Sequence, residues 1–446
     1  MQIHKSSRYA YLVLQSLMRK YRFSLIIGLI IGIVGSLGFF RLYPFASRFL
    51  LRPTQNIAMV GEFTPSNLPL TIQQRISRGL TQIAPDGSVI PSLATNWEVK
   101  DEGRQYVFTL DTSAVWHTGK TLTANDINYN IRNVIFTPLD AATLKVTLQE
   151  PFSPFLTLLA KPIFQRGLRG VGEYRVSGIR LNGERVVYLK LTPAKDMSLP
   201  NLEYRFYRTE AAAVLAYKLG NVDSIEDATE PTQLKDWRNT TITTHTKNDR
   251  IVAVYFNLKN SFVAEKAVRQ ALAYAVPDLG TPRVNSPIGS TSWAFSDKGR
   301  NYTFDMARAR RLLGQESSPS GQIVITTFSQ YLDTAQKIAG SWNQLGIPTT
   351  IRVENTVPEG YQVLISAQDI PPDPDQYPFW HQTQAQTNIT GYANVKIDKL
   401  LEDGRREIDP EKRKIIYADF VRYLTEDVPA IFLYHPAFYT IRRSTP

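Results

Sequence analysis

Cysteine is absent from this 446-residue sequence, and histidine is scarce, with only five residues. The absence of cysteine excludes disulfide bonds, thiolate metal ligands and thiol nucleophiles. The histidines form no HExxH motif, and the sequence contains neither a GxSxG nor an SxxK motif. We therefore expect no metal site, no cofactor and no catalytic activity.

Acidic residues are missing from the N-terminal part of the chain. Residues 1–52 contain eight of the 51 basic side chains, whereas the first acid is Glu62. The remaining residues are close to charge balance, so the net charge of +11 comes mainly from the N-terminus. A nucleic-acid-binding protein concentrates its positive charge on a folded face. We therefore expect no nucleic-acid partner.

Long hydrophobic runs are absent except for one, which covers residues 23–40 and contains no charged side chain. Eighteen residues at about 1.5 Å per residue are near the lower limit for a helix that crosses a membrane. A cleavable signal peptide is the alternative, but its hydrophobic part is usually shorter, and no small-x-small cleavage site follows. We predict an uncleaved transmembrane anchor at 23–40, between a cytoplasmic basic tail at 1–22 and a linker at 41–55. The excess of basic residues before the run predicts a cytoplasmic N-terminus and an extracytoplasmic body.

The remaining chain has a globular composition, since 43% of all residues are apolar and 11% are aromatic. Its length is sufficient for two or three core-forming units. Strand-like alternation, which predicts a strand at Tyr106, Phe108 and Leu110, and helix-like periodicity follow one another in both halves. This succession predicts an α/β fold. Residues 323–353 have a β-α-β order and predict a parallel pair of strands.

The densest set of local signals lies in residues 85–128. Thr123 and Asp126 have the spacing of a helix-capping box, and apolar residues recur at helical spacing through Ile135, so we predict a helix from about residue 124. The motifs of the stretch are, in order, Pro-Asp-Gly at 85–87, Pro-x-Leu-Ala-x-x-Trp at 91–97, Tyr-x-Phe-x-Leu at 106–110, Trp-His-x-Gly at 116–119 and Leu-Thr-Ala-x-Asp at 122–126.

This succession resembles the signature region of the family 5 solute-binding proteins, the extracytoplasmic oligopeptide and dipeptide receptors of ABC importers. The resemblance implies a two-lobed periplasmic-binding-protein-like fold of type II, with a peptide or small solute bound between the lobes. It also implies ABC permease subunits as partners, and we expect a monomer. Many such receptors are held to the membrane by a lipid-modified cysteine. Because this chain has no cysteine, the anchor at 23–40 would make it a single-pass protein of the cell membrane.

The same resemblance suggests the limits of the lobes. We expect a first lobe at 56–250, with an inserted and shortened subdomain at about 79–165. A second lobe is expected at 251–430, and residues 431–446 are expected to return to the first lobe. The strand at 430–434 is predicted to make this return.

The loop at 368–380 follows a predicted strand and contains three acids before a run of aromatic residues. In peptide receptors of this family, an aspartate just after the corresponding strand pairs with the ligand's α-ammonium group. By resemblance Asp369 has this role, with Asp373 as the second candidate. A carboxylate opposite an ammonium group offsets the cost of removing the ligand charge from water. The alternative is that these acids cap turns on an exposed loop.

Aromatic residues are candidates for the ligand-facing walls, because ligand pockets are mainly apolar and aromatic. Each of them, taken singly, has ordinary core packing as its alternative. The candidates are Tyr255, Trp293, Tyr377 and Trp380.

Two features of the turn at 114–121 suggest other chemistry. Its Gly-Lys-Thr ending is shared with phosphate-binding loops, but Ala114 stands where their first glycine is required, so we interpret the match as chance. We interpret His117 as a hydrogen-bonded turn residue rather than a ligand or base. Two other functions stay open: a ligand sensor or assembly subunit without transport, and an extracytoplasmic hydrolase.

Overall fold

The computed structural model describes residues 53–314 and 321–444, together with isolated positions and short runs between residues 15 and 41. The predicted basic tail, membrane anchor and linker lie largely outside these residues. Within the part of the chain that the structure describes, no helix is both long enough and apolar enough to cross a membrane.

Two compact units divide the chain, residues 1–55 with 198–201 and residues 56–197 with 202–446. The sites considered below lie in the second unit. The strands between residues 53 and 444 are β1 (Thr54–Val60), β2 (Thr81–Ile83), β3 (Val89–Pro91), β4 (Ala94–Lys100), β5 (Gln105–Leu110), β6 (Val134–Pro138), β7 (Thr143–Leu148), β8 (Tyr174–Asn182), β9 (Arg185–Pro193), β10 (Asn201–Tyr207), β11 (Ser224–Ala228), β12 (Thr240–Thr246), β13 (Arg250–Phe256), β14 (Ile323–Thr327), β15 (Thr349–Val353), β16 (Val363–Asp369), β17 (Ala430–Tyr434) and β18 (Ala437–Arg443).

The helices begin and end at residues suited to those positions. Asp409 accepts hydrogen bonds from the first turn of the longest described helix, and Pro410 occupies its first position. Gly346 ends another helix in the left-handed conformation, with φ of 98°. The α-helices between residues 53 and 444 are α1 (Leu70–Ile76), α2 (Phe155–Leu158), α3 (Glu210–Lys218), α4 (Ser261–Ala264), α5 (Lys266–Tyr274), α6 (Met306–Gly314), α7 (Leu332–Leu345), α8 (Tyr377–Trp380), α9 (Val395–Arg406) and α10 (Pro410–Asp427).

The first large sheet has seven strands in the order β12-β18-β11-β1-β10-β9-β8. β1 and β11 are parallel, whereas β8, β9 and β10 are antiparallel neighbours. Leu202, Tyr204 and Phe206 alternate along β10 and are buried, which is the pattern of a strand with one face on a core. Helix α3 packs against β11 and β18 on this sheet.

A four-stranded antiparallel sheet lies within residues 79–165, in the order β4-β5-β7-β6. Tyr106, Phe108 and Leu110 alternate along β5 and are buried in its core. The strand predicted from this alternation is therefore confirmed.

The helix predicted from about residue 124 was wrong. Thr123 and Asp126 form the predicted capping box, but only one 3-10 turn follows it. Asn130 has a left-handed φ of 51°, which a continuing helix does not tolerate. Residues Val134–Pro138 instead pair with β7 as strand β6, in keeping with the strand preference of their β-branched and aromatic side chains.

The second large sheet has five strands in the order β15-β14-β16-β13-β17. β14 pairs in parallel with both β15 and β16, and α7 joins β14 to β15. The parallel pair predicted for residues 323–353 is therefore confirmed. Trp342 of α7 is fully buried and donates from Nε1 to the carbonyl oxygen of Leu272 at 3.1 Å, which fixes α7 against α5.

Two neighbouring connections join the large sheets. β12 leads into β13 through residues 247–249, and β17 leads into β18 through residues 435–436. The backbone N–H of Lys247 donates to the carbonyl oxygen of Pro436 at 3.0 Å, so the connections lie side by side.

The strand expected to return to the first lobe at residues 430–434 was assigned to the wrong sheet. It is β17 and pairs with β13 of the second sheet. Its apolar residues pack alternately on the two cores of that sheet, Ile431 on one and Phe432 on the other. β18 makes the return instead, between β11 and β12.

Candidate functional site

A cavity of about 950 Å³ lies beside the two connections between the large sheets. Asn248 lines it from one connection, and His435 lines it from the other. Residues of the loop at 279–301 and of the segment at 330–334 form other parts of its wall. The volume falls within the roughly 300–1,000 Å³ of small-molecule sites.

The topology explains why a cavity forms at this position. β14 and β16 are parallel, so their carboxyl ends lie at the same edge of the second sheet, where α/β proteins bind ligands. Gln330 and Thr334 follow β14 and line the cavity. β13 runs in the opposite direction and begins at this edge with Arg250, directly opposite Asp369 at the end of β16.

Arg283 lines the cavity from the loop between α5 and α6. The next residue, Val284, donates from its backbone N–H to the carbonyl oxygen of Leu433 at 3.0 Å, which holds the loop along β17. The Nε of Arg283 is buried and has no hydrogen-bond partner among the described residues. Burial lowers the pKa of this guanidinium to about 10.

His435 also has a buried side-chain nitrogen without a hydrogen-bond partner in the described chain. Its Nδ1 lies 2.7 Å from the carbonyl oxygen of Arg250, so Nδ1 carries the proton and donates it. Its Nε2 is buried and has no partner within the described chain. The hydroxyl of Tyr434, the residue before His435, lies 2.8 Å from Oγ1 of Thr334, and both Tyr434 and Thr334 line the cavity.

Asp369 lies at the end of β16, close to the cavity but outside its lining. Its side chain is 76% exposed, and Oδ1 accepts from Nε of Arg250 at 2.7 Å. Because Arg250 also accepts from His435 through its carbonyl oxygen, one residue connects Asp369 to the cavity wall. Its exposure leaves the second carboxylate oxygen accessible to a ligand.

Asp373 and Asp375 are held by arginines. Asp373 is buried, and its two oxygens accept from Arg413 at 3.1 and 2.7 Å. Asp375 accepts from Nε of Arg405 at 2.9 Å. The pairs attach the loop at 368–380 to α9 and α10, so in this conformation Asp373 anchors the loop.

Two of the predicted aromatic residues lie in the core of the second lobe. Trp380 is 1% exposed and donates from Nε1 to Oε1 of Gln376 at 3.2 Å. Tyr255 is buried, donates its hydroxyl to Oε1 of Gln368 at 2.8 Å, and has a pKa that burial raises. Both belong to the same apolar cluster.

The other two aromatic residues are half-buried. Tyr377 stacks on the ring of His381, with centroids 4.0 Å apart. Trp293 lies 5.3 Å from the guanidinium of Arg413, which also binds Asp373. The structure therefore brings Trp293 and Asp373 together around one arginine, and none of the six predicted residues is among those lining the cavity.

Sequence reasoning missed both Arg283 and His435. A usable signal was present, because Arg283 is the only charged residue between Asp278 and Asp297. A single charge in a long uncharged loop needs either solvent or a partner.

The turn at 114–121 takes the structural role that was predicted. The N–H of Gly170 donates to Nδ1 of His117 at 3.2 Å, and Nε2 of the ring donates to the carbonyl oxygen of Gly172 at 3.1 Å. Burial lowers the pKa of this histidine. Among the described residues, no group of three or more histidines and acids is placed to hold a metal ion.

The chain has two large β-sheets covered by helices, and two neighbouring connections join them. A cavity lies beside these connections, which is the architecture of a two-lobed binding protein. The family model described as bacterial extracellular solute-binding proteins, family 5 Middle, matches residues 88–389, more than half of the chain. The chain therefore belongs to this family, and the resemblance found in the sequence is confirmed. Its members bind solutes, so the protein is a binding protein and not an enzyme.

Individual relatives are distant but match over most of their length. The chain is 20% identical over 440 residues to the probable D,D-dipeptide-binding periplasmic protein of Escherichia coli, covering 83% of this chain and 85% of the relative. The ABC transporter substrate-binding protein CtaP of Listeria monocytogenes has a TM-score of 0.77 at 19% identity, covering 88% and 94% of the two chains. NikZ of Campylobacter jejuni, solved in complex with Ni(L-His), has a TM-score of 0.71 at 22% identity, covering 87% and 94%. These structures share the fold.

Proposed function

We propose that this protein is the membrane-anchored, extracytoplasmic receptor of an ABC importer and that it binds a peptide or peptide-like solute between its lobes. The observation that carries the proposal is the cavity of about 950 Å³ beside the paired connections, at the carboxyl edge of the second sheet. The D,D-dipeptide named for the Escherichia coli relative supports a ligand of this class.

Asp369 is the proposed partner of the solute's ammonium group. It lies at the same sheet edge as the cavity, and Arg250 occupies one of its oxygens at 2.7 Å. An ammonium group at the other oxygen would form a charge-assisted hydrogen bond. Asp373 is the less suitable of the two acids, since Arg413 holds both of its oxygens.

Closure of the lobes on the solute is part of the proposal. The lobes touch away from the paired connections, where the backbone N–H of Trp293 donates to the carbonyl oxygen of Asp86 at 2.8 Å. A solute that contacts both lobes binds more tightly when they are closed, and it therefore shifts the population toward the closed state.

The hydrophobic segment at 23–40 is the proposed anchor, with the body outside the cell membrane. Tethering would hold the receptor at a high local concentration beside its permease, in place of a lipid-modified cysteine. We propose that the receptor is a monomer that delivers its solute to the permease subunits.

Binding of peptides by the full-length chain in lipid nanodiscs tests the proposal. We expect isothermal titration calorimetry to detect binding of a random library of di- to tetrapeptides. Asp369→Asn should weaken binding of peptides with a free amino terminus by about 10-fold or more and leave N-acetylated peptides nearly unchanged, because it removes one charge-assisted hydrogen bond.

The matched control is Asp236→Asn, which changes an exposed aspartate of the first lobe. It should bind both libraries as the unmodified chain does. Absence of binding by well-folded protein would count against the receptor function, and equal losses for free and acetylated peptides would remove Asp369 from the site.

A further inference from the structure

An exposed apolar patch lies on the first lobe, at the C-terminal end of α3 and in the segment that precedes β12. Leu215 and Leu219 are 58% and 68% exposed, and Trp237 is 41% exposed. Nζ of Lys218 lies 5.1 Å from the centre of the Trp237 ring, so the two segments are neighbours. We call Leu215, Leu219 and Trp237 the apolar patch. Exposed apolar side chains with polar groups around them are typical of an interaction surface.

Positively charged side chains lie around the apolar patch. Lys235 and Arg238 are exposed on either side of Trp237 in the chain, and Lys218 lies over its ring. None of these three cations forms an ion pair within the described residues. Asp236 is the acid that lies among them in the chain, so this rim has a net positive charge. Unpaired exposed cations beside apolar side chains complement an anionic surface.

The chain enters the second compact unit close to the apolar patch. α3 ends at Lys218, and the residues after it lead directly to Asp223, just before β11. Oδ2 of Asp223 accepts from Nδ2 of Asn56 at 2.8 Å, and its backbone N–H donates to the carbonyl oxygen of Asn56 at 2.8 Å. Asn56 begins this unit, and residues 41–55 connect it to the proposed anchor at 23–40. The apolar patch therefore lies near the point where the chain arrives from the proposed anchor.

One edge of the first sheet brings these segments together. β1 and β11 are parallel and begin at this edge, β12 also begins there, and the antiparallel β18 ends there. The backbone N–H of Ser444 donates to the carbonyl oxygen of Asn239 at 2.9 Å, which joins the end of β18 to the start of β12. The paired connections and the cavity lie at the opposite ends of β12 and β18, about 20 Å away along the strands. The patch can therefore contact another surface while the cavity stays open to solute.

We propose that the apolar patch and its positive rim bind the outer surface of the membrane that holds the anchor, with a preference for anionic lipids. This step rests on the proposed anchoring. Tryptophan and leucine side chains bind at the boundary between lipid headgroups and acyl chains, and lysine and arginine are attracted to anionic headgroups. Residues 41–55 reach at most about 50 Å when fully extended, so the tether keeps lipid at a high local concentration.

Contact at this edge has a consequence for the motion of the lobes. The first lobe would stay on the lipid surface, whereas the second lobe would move about the paired connections at 247–249 and 435–436. The cavity lies beside those connections and therefore stays away from the lipid.

Quenching of tryptophan fluorescence by brominated lipids tests the proposal. The full-length chain is reconstituted in nanodiscs of phosphatidylcholine with brominated acyl chains, with or without phosphatidylglycerol as the anionic lipid. The six tryptophans all lie within the described residues, and Trp237 is the exposed one. We expect stronger quenching in the anionic nanodiscs, and we expect Trp237→Phe to lose this quenching.

Two variants test the two parts of the surface. Lys218→Gln, Lys235→Gln and Arg238→Gln, combined in one chain, should lower the ratio of lipid-bound to free patch in anionic nanodiscs by about 10-fold or more. Leu219→Gln should lower this ratio by about 3- to 10-fold, because it removes apolar area that the lipid would bury. Both changes lie on the surface and should leave peptide binding unchanged, which calorimetry on the same nanodiscs checks.

Matched controls change the same residue types elsewhere. Lys298→Gln, Arg311→Gln and Lys414→Gln, combined in one chain, remove three exposed cations of the second lobe that form no ion pair within the described residues. Leu70→Gln changes a leucine of α1 that is also exposed. Both controls should be quenched as the unmodified chain is.

The outcomes are distinct for the two proposals. No quenching of Trp237 in either lipid, in a chain that binds peptides, would overturn the lipid-binding surface and keep the receptor function, with a protein as the remaining partner for the patch. Lipid-dependent quenching without peptide binding would support the lipid-binding surface and overturn the receptor function. Equal quenching in both lipids and in the chain without the three cations would overturn the preference for anionic lipids. A chain that does not stay with the nanodiscs would overturn both the anchor and the lipid-binding surface.

Discussion

The buried pair of Arg413 and Asp373 shows how single residues position the loop at 368–380. Both side chains are nearly inaccessible to solvent, with a shortest distance of 2.7 Å. Such a pair contributes little net stability compared with apolar residues, but removal of one partner leaves a buried charge without compensation. Arg413 therefore holds Asp373 in place, and the loop with it.

Replacing Arg413 by methionine should destabilise the protein strongly. We expect a loss of about 3–5 kcal/mol in the free energy of unfolding, because Asp373 stays buried without its partner. Urea unfolding of the full-length chain measures this loss. Arg422→Met is the control on the same helix, since its pair with Asp419 is exposed and should be worth less than about 1 kcal/mol. Similar losses in both variants would show that Asp373 does not depend on Arg413.

Secondary-structure elements differ in how far the sequence alone predicts them. Strand β5 and the pair β14 and β15 are predicted correctly because their apolar spacing reports directly on burial. Residues 124–135 are predicted wrongly because the capping box is a local signal, whereas pairing of β6 with β7 is a tertiary contact. The placement of β17 fails for the same reason, since strand order depends on contacts distant in sequence.

The candidate site is less predictable than the elements that carry it. Asp369 could be proposed from a motif, because it lies in one continuous loop. Arg283 and His435 are far apart in the chain and line the same cavity, beside the hydrogen bond from Val284 to Leu433. No local pattern reports that bond, so the cavity becomes visible only in the folded protein.

Contacts between the inserted subdomain and α9 should help to hold the lobes closed. Ser153 donates from its backbone N–H to the carbonyl oxygen of Arg405 at 2.7 Å and from its hydroxyl to that of Gly404 at 2.9 Å. Ser153→Ala removes the second bond, which is worth about 0.5–1.5 kcal/mol. We expect peptide affinity to fall by up to about 10-fold, measured by calorimetry, because the closed state becomes less populated.

The control for this prediction is Ser66→Ala. The hydroxyl of Ser66 bonds within its own loop to Thr64 at 3.0 Å. This variant should keep the affinity of the unmodified chain. An unchanged affinity in Ser153→Ala would show that the contact with α9 does not contribute to closure.

At the scale of the whole molecule, charge and topology distinguish a basic N-terminal segment from a two-lobed folded body. The positive charge is concentrated in residues 1–52, whereas the folded body is nearly balanced. The body consists of two α/β lobes joined by the connections at 247–249 and 435–436, and the cavity lies beside them. Motion about two adjacent connections changes the distance between the lobes while each sheet keeps its own core.

The distance between the lobes, measured with and without solute, tests the central claim most directly. Because the chain has no cysteine, Glu184→Cys on the first lobe and Gln336→Cys on α7 allow two spin labels to be placed at exposed positions. Double electron–electron resonance spectroscopy would measure the distances between the two labels in the full-length chain. We predict that the library of di- to tetrapeptides shortens the mean distance between the two labels and narrows the distance distribution, and that Asp369→Asn weakens this response. A distribution unchanged by saturating peptide would contradict the account.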